Sequence, residues 1–364
     1  MSILIFALIL FSLVLVHEFG HFIVAKKTGM RVDEFGIGFP PRLFGIKKDE
    51  TLYSINALPI GGFVRIFGED ASESGEGTDS HSRAFAHKPK WAQALVLIAG
   101  ITANILFAWV LFSTALAIGT DTLVSPEEAG PTAELTVVGT IPDSPAARAG
   151  IPDGAVITGL SVDGEFTTPH YFEEFRSVVL NAGDSDVTVM YRFRGDEMST
   201  TLEALSGVTS EDSTQPAIGV LLGLMERQSL PIHQALYEGT SMTVFGLRDI
   251  TIGISTLIRD AVFLDADLTQ VAGPVGIVGL VGEASAFGIT TLLMFTAFIS
   301  LNLAIINLLP FPALDGGRLL FVLIETIARK TIRPQIAYYV NATGFLLLIV
   351  LMVAITFNDI ARLV

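Results

Sequence analysis

Apolar positions gather along the chain in four long runs, residues 3–25, 91–118, 287–310 and 336–357. Each is long enough to cross roughly 30 Å of hydrocarbon as a helix. The first has no basic flank before it and no small-residue cleavage site after it, so it reads as a span and not a signal peptide. Residues 51–69, "TLYSINALPIGGFVRIFGE", give two short strand-like runs parted by Pro59, Gly61 and Gly62. That stretch is apolar but too short to cross. It fits a β-hairpin that dips into the membrane with its backbone paired. Residues 70–83, "DASESGEGTDSHSR", are polar and low in complexity and read as a flexible loop, with His81 and nearby His87 as solvated histidines.

Past the second run the pattern changes. "ELTVVGTI" and "DVTVMYRFRG" alternate as strands do, and "TTPHYFEEFRSVVLNA" between them has helical spacing. Residues 134–204 therefore read as a small α+β domain. In "LYEGTSMTVFGLRDITIGISTLIRD" the apolar residues recur at helical spacing, but Arg248, Asp249, Arg259 and Asp260 interrupt them. This predicts an interfacial amphipathic helix and not a fifth span. The glycine-rich "VAGPVGIVGLVGEA" reads as a compact turn leading into the third long run. The whole pattern predicts a polytopic α-helical membrane protein of about four transmembrane helices, with a membrane-reentrant β-loop and one soluble α+β domain. It divides into residues 1–120, 121–230, 231–286 and 287–364.

Composition agrees with that class. The chain has 364 residues, of which 51% are hydrophobic and only 16% charged, against about 25% charged in soluble domains. It has no cysteine, which excludes disulfides, thiol nucleophiles and thiolate metal ligands. Lys and Arg are sharply sorted: residues 26–90 hold 10 and residues 318–335 hold 4, whereas residues 121–286 hold 7. The positive-inside rule then places the first two segments in the cytoplasm, and 121–286 and both termini outside. Residues 121–230 carry 18 acidic and 5 basic side chains. That excess implies a solvated extracytoplasmic domain and argues against nucleic acid as a partner.

One stretch of the first run is out of place. "VHEFGH", residues 16–21, puts two histidines and a glutamate into an apolar segment, where ionisable groups persist mainly at functional sites. His17 and His21 are four apart and stack on one helix face, with Glu18 beside them. Two such imidazoles bind one Zn²⁺, and the glutamate serves as general base. A catalytic zinc usually takes a third protein ligand. Asp315, in "NLAIINLLPFPALDGGRLLF", is the only acidic residue between Glu283 and Glu325. By itself it reads better as a cap before Gly316 and Gly317. Its place at the inner end of a span, at the depth of His17, makes it the candidate third ligand.

"IPDSPAARAGIPDGAVITGLSVDG" resembles a PDZ domain of the bacterial type, with turn glycines Gly150, Gly154 and Gly164, but it has Ala155 where an acidic residue is usual. PDZ domains bind extended peptides by strand addition; a steric plug on the same fold is the alternative. With HExxH, "INALPIGGFVRIFGED", "GITANILFA" and "NLLPFPALDGGR", nearly the whole chain resembles the site-2 protease family of intramembrane zinc metalloproteases, most closely its bacterial RseP branch. The resemblance implies a bacterial cytoplasmic (inner) membrane protein embedded in the lipid bilayer. It implies peptide-bond cleavage in transmembrane segments of single-pass proteins, such as anti-sigma factors already trimmed by another protease or signal-peptide remnants. It implies that His17, His21 and Asp315 hold the zinc and that Glu18 activates water. It further implies that Asn302 and Asn307 handle the substrate backbone and that residues 58–66 form a reentrant β-loop, with Gly61, Gly62, Phe63 and Val64 against the substrate. For Asn302, Asn307 and Asn104 the alternative is plain interhelical hydrogen bonding. Two features depart from the family pattern: one PDZ domain where well-known relatives have two, and "GFPPRL" at 38–43. An adaptor with a vestigial metal motif leaves Glu18 and Asp315 unexplained. A metal transporter calls for inverted repeats, which the sequence lacks.

Overall fold

The computed structural model describes residues 1–69, 82–183, 185–206, 208, 215–263 and 272–362. His81 and most of the polar stretch 70–83 lie outside the described residues. The chain forms two compact units, one of Met1–Ala117 with Pro231–Val364 and one of Ile118–Leu230.

The larger unit opens with α1, Ser2–Lys27, which ends on Lys26 and Lys27, cations that suit a helix C-terminus. Two long strands follow, β1 (Val32–Lys48) and β2 (Thr51–Ile66). They bend back on each other, so residues of β1 pair on both sides: Phe35 faces Val64 on one side and Tyr53 on the other. Residues 42–48 pair with 51–56, which leaves 61–66 as an outer run of the sheet. The sequence showed only the second half of this element. Pro40 and Pro41 lack N–H donors and break the alternation of β1, which therefore did not read as a strand. The 61–66 run is fastened to the helices by Ile66, Val64 and Val32, packed with Ala25, Phe22 and Val96.

A short 3-10 turn, Phe85–His87, leads into α2, Lys90–Ile118. In the second unit, β3 (Thr120–Val124), β4 (Glu134–Thr140) and α3 (Pro145–Arg148) come first. They are followed by β5 (Val156–Val162), β6 (Glu165–Thr167) and α4 (Phe172–Ala182). β7 (Asp186–Phe193), β8 (Asp196–Glu203) and β9 (Val220–Gln228) complete it. The sheet order is β3-β9-β4-β5-β7-β8, with β6 on β5. α4 buries Phe175, Val179 and Ala182 in a core with Val137, Leu160, Val187 and Val189, so this unit is α+β. α3 starts on Pro145, and the Ser144 hydroxyl accepts the Ala147 N–H at 3.2 Å.

The chain returns to the larger unit in α5, Ile232–Val262. The remaining helices are α6 (Pro274–Ala286), α7 (Ile289–Leu308), α8 (Asp315–Ala328) and α9 (Pro334–Ala361). Among the described residues five helices, α1, α2, α5, α7 and α9, are long and apolar enough to cross a membrane by length and composition, where the sequence suggested four such runs. The addition is α5, the least apolar of the five. Its Met242, Leu247, Ile250 and Ile254 lie on one stripe that packs on Ala108, Phe112, Ala297 and Leu301 of α2 and α7. The charges at 248–249 and 259–260 hid that apolar length from a sequence reading. The glycine-rich segment is a correction, because it folds as α6 and not as a turn. Pro274 stands at its first position, and the Asp359 carboxylate accepts the N–H groups of Gly273 and Gly276 at 3.1 and 2.8 Å.

Candidate metal centre

α1 brings His17 and His21 onto one buried face, each 7% exposed. Gly20 lets α2 come close to that helix; a Cβ there would stand 2.5 Å from the Ala99 carbonyl oxygen. α8 begins at Asp315, and the chain before it folds back so tightly that a Cβ on Gly316 would meet the Leu309 carbonyl at 2.2 Å. The two glycines after Asp315 are thus what seats the carboxylate. Its Oδ2 lies 2.9 Å from His17 Nε2 and 3.3 Å from His21 Nε2, and the two Nε2 atoms are 3.1 Å apart. The three ligand atoms fall within 4.8 Å of one another.

The donor set fits zinc: two imidazole nitrogens and one carboxylate oxygen, the number that leaves a position open. Space is reserved as well. A Cβ on Gly100 of α2 would lie 2.5 Å from His21 Nε2 and 2.8 Å from His17 Cε1, so the missing side chain keeps the cradle clear. His21 Nδ1 lies 2.8 Å from the Val96 carbonyl oxygen. Donating there puts the ring proton on Nδ1 and turns the Nε2 lone pair toward Asp315 and His17, as metal binding requires.

Glu18 lines the same cavity as His21 and Asp315, and its Oε2 accepts the Val64 backbone N–H at 3.0 Å. The outer run of the β1–β2 sheet therefore touches the carboxylate beside the His17–His21–Asp315 cluster. A cavity of about 270 Å³ opens between them, lined by Glu18, His21, Phe63, Val64, Asp315 and Arg318 among others. Arg318 pairs with Glu69 at its rim.

Of the residues singled out in the sequence, His17, His21, Asp315, Glu18, Phe63 and Val64 come together. Gly61 and Gly62 belong to the same outer run, with Gly62 opposite Ile37. Asn302 and Asn307 do not line the cavity. The Asn302 amide donates to the Phe298 carbonyl one turn back at 2.9 Å, so its polarity is met within α7. Gly100, the Val96 carbonyl and Arg318 went unnoticed in sequence. A glycine in an apolar span is the one signal Gly100 offers, and many spans carry one.

The family model of Peptidase family M50, the site-2 proteases, matches residues 5–351. The chain belongs to this family. It is 37% identical over 359 residues to a provisionally named zinc metalloprotease of Clostridium perfringens, covering 98% of each chain. It is 30% identical to the zinc metalloprotease RasP of Oceanobacillus iheyensis, again covering 98% of each. The regulator of sigma-W protease RasP of Bacillus subtilis is 29% identical across 100% of this chain and 99% of its own. As an M50 member the chain is a zinc metallopeptidase, and its long apolar helices make it a multi-pass membrane protein.

Proposed function

We propose that this peptidase cuts peptide bonds inside the transmembrane segments of single-pass membrane proteins, with His17, His21 and Asp315 as zinc ligands and Glu18 as general base. The observation that carries the reading is one contact set. Ligand atoms of His17 and His21 on α1 and of Asp315 at the start of α8 meet within 4.8 Å, and the carboxylate next to His17 is bonded to a strand edge. Bound there, zinc supplies Lewis acidity to the scissile carbonyl and acidifies water. Glu18 Oε2 takes the proton of the attacking water and passes it to the leaving amide nitrogen. A helical substrate hides its peptide bonds in its own hydrogen bonds, and each group freed in hydrocarbon costs several kcal/mol unless paired. The 61–66 run points the Val64 N–H toward the site and offers such pairing by strand addition.

The sorting of Lys and Arg supports a cytoplasmic placement for 26–90 and 318–335 in a bacterial inner membrane, with 121–286 and both termini outside. On this reading α5 lies along α2 and α7 without counting as a crossing, in keeping with Arg248 and Asp249 at its middle. The acidic α+β unit is PDZ-like and screens substrates. It contributes none of the ligand residues. Because the Bacillus relative is named for regulating sigma-W, trimmed anti-sigma factors are the favoured substrate class, ahead of signal-peptide remnants.

The test is cleavage of a single-pass substrate in lipid vesicles. Glu18→Gln should lower the rate by about 10²–10⁴-fold, the usual worth of a general base, while zinc stays near one per chain. The wild-type enzyme should process substrates with helix-breaking residues at the cut faster than stable helices. An active Glu18→Gln protein would remove the general-base role, and indifference to helix stability would remove the strand-addition step.

A further inference from the structure

Asn104 of α2 is fully buried, and the reaction above gives it no task. Its side-chain amide nitrogen meets His17 Nδ1 at 3.4 Å, and its Oδ1 is a buried acceptor without a partner among the described residues. An amide N–H directed at Nδ1 makes that ring nitrogen an acceptor and moves the ring proton to Nε2. Yet Nε2 is the atom that faces Asp315 Oδ2 and His21 Nε2. A protonated Nε2 has no lone pair for a metal. Turning the amide by half a revolution exchanges its oxygen and nitrogen without moving the side chain. Oδ1 then accepts from His17 Nδ1–H, the orphaned oxygen has a donor, and Nε2 is free to ligate.

The rest of α2 supports the reversed orientation. His21 already donates through Nδ1 to the Val96 carbonyl, in the same sense. Val96, Gly100 and Asn104 are four and eight positions apart and so share one face of α2. Along that face the chain presents a carbonyl oxygen to His21, an empty space for the ion, and an amide to His17. Asn104 is itself held, because the Ser300 hydroxyl of α7 donates to its backbone carbonyl at 2.8 Å. We propose that Asn104 is a positioning residue, whose Oδ1 accepts from His17 Nδ1–H and thereby fixes the tautomer and ring plane in which His17 Nε2 binds zinc.

This rests on His17 being a zinc ligand, and the experiment separates the two claims. Zinc affinity of the purified full chain is measured by chelator competition, with the absorption spectrum of the cobalt-loaded protein as a readout of ligand geometry. Asn104→Leu should weaken zinc binding by about 10–100-fold, the usual cost of losing such an outer partner, and should shift the cobalt spectrum. Asn104→Asp keeps an acceptor and should stay close to wild type in both. Equal losses in the two variants, or no loss in either, would overturn the proposal. His17→Ala should lose zinc; if it binds normally, both the ligand assignment and this inference fall. Should the Leu variant not fold, nitrogen-15 spectra of the zinc-free wild type decide, since they must show His17 protonated at Nδ1. Protonation at Nε2 would refute it.

Discussion

The two units of this protein hide opposite things. In residues 118–230 the interior is apolar: Val137, Leu160, Val187 and Val189 are fully buried, and the surface carries the charge. In the helical unit the outside is apolar, with Leu4, Leu8, Leu106, Phe345 and Leu346 all more than half exposed. Its buried positions include His17, His21, Gln93, Asn104, Thr296 and Ser300. Where lipid replaces water, an apolar side chain gains little by turning inward, and burial of a polar one demands a partner. The difference tells which residues to read: in the sheet unit the core specifies the fold, and in the helical unit the buried polar groups specify the chemistry.

Four variants break or sharpen that contrast. The largest effect belongs to Asp315→Asn, which removes the carboxylate charge that lies against His17 and His21 and is the proposed third ligand. Zinc affinity should drop by more than the roughly 100-fold upper cost of losing an outer-shell partner, with activity falling alongside. Normal zinc content by metal analysis would place the third ligand elsewhere. Next is Leu160→Ala in the sheet core, which should destabilise residues 118–230 by about 2–5 kcal/mol. Hydrogen exchange should quicken there, while zinc affinity stays as in the wild type; a fall in zinc binding would erase the division of labour. Gly100→Ala is third. A methyl group 2.5 Å from His21 Nε2 should cost about 10–100-fold in zinc affinity, comparable with an outer-shell loss, and leave the helices intact. Unchanged affinity would show that the cradle is wider than Gly100 implies.

The smallest effect lies at the hairpin turn. Arg83 binds Glu50 through two hydrogen bonds of 2.6 and 2.7 Å, and Lys26 adds one of 3.0 Å. Chiefly through Arg83, the Glu50 carboxyl is held down to about 2 from an ordinary 4.5. A depressed carboxylate stabilises above its unfolded value, and that contribution fades as pH falls from about 4.5 to about 2. The pair is partly solvated, so Glu50→Gln should cost less than about 1 kcal/mol at neutral pH. The gap from wild type should close in acid; a gap that persists at pH 2 would assign the effect to packing.

What the sequence disclosed follows from the same contrast. His17, Glu18 and His21 stood out because a four-residue spacing of ionisable groups is conspicuous against an apolar run. Asp315 stood out by isolation. β4, β7 and α4 were legible because their periodicity is written in alternating polarity. Asn104, Asn302 and Asn307 were not separable in one dimension. Each is a lone amide in an apolar helix, and only the packing of α2 on α1 shows that Asn104 meets a histidine while Asn302 bonds its own helix. Gly100 is silent for the same reason. The first half of the β1–β2 sheet was hidden by its prolines, and the length of α5 by four charges.

The bond from Val64 to Glu18 has a consequence for the resting protein. A membrane is crowded with helices that drift past at high local concentration, and an idle peptidase among them is a hazard. On the function proposed above, the carboxylate that would accept a proton is already bonded to the very N–H that an incoming strand would claim. Arrival of an extended chain on that edge and release of Glu18 become a single exchange. A passer-by that stays coiled offers no strand to trade, and it leaves the catch engaged.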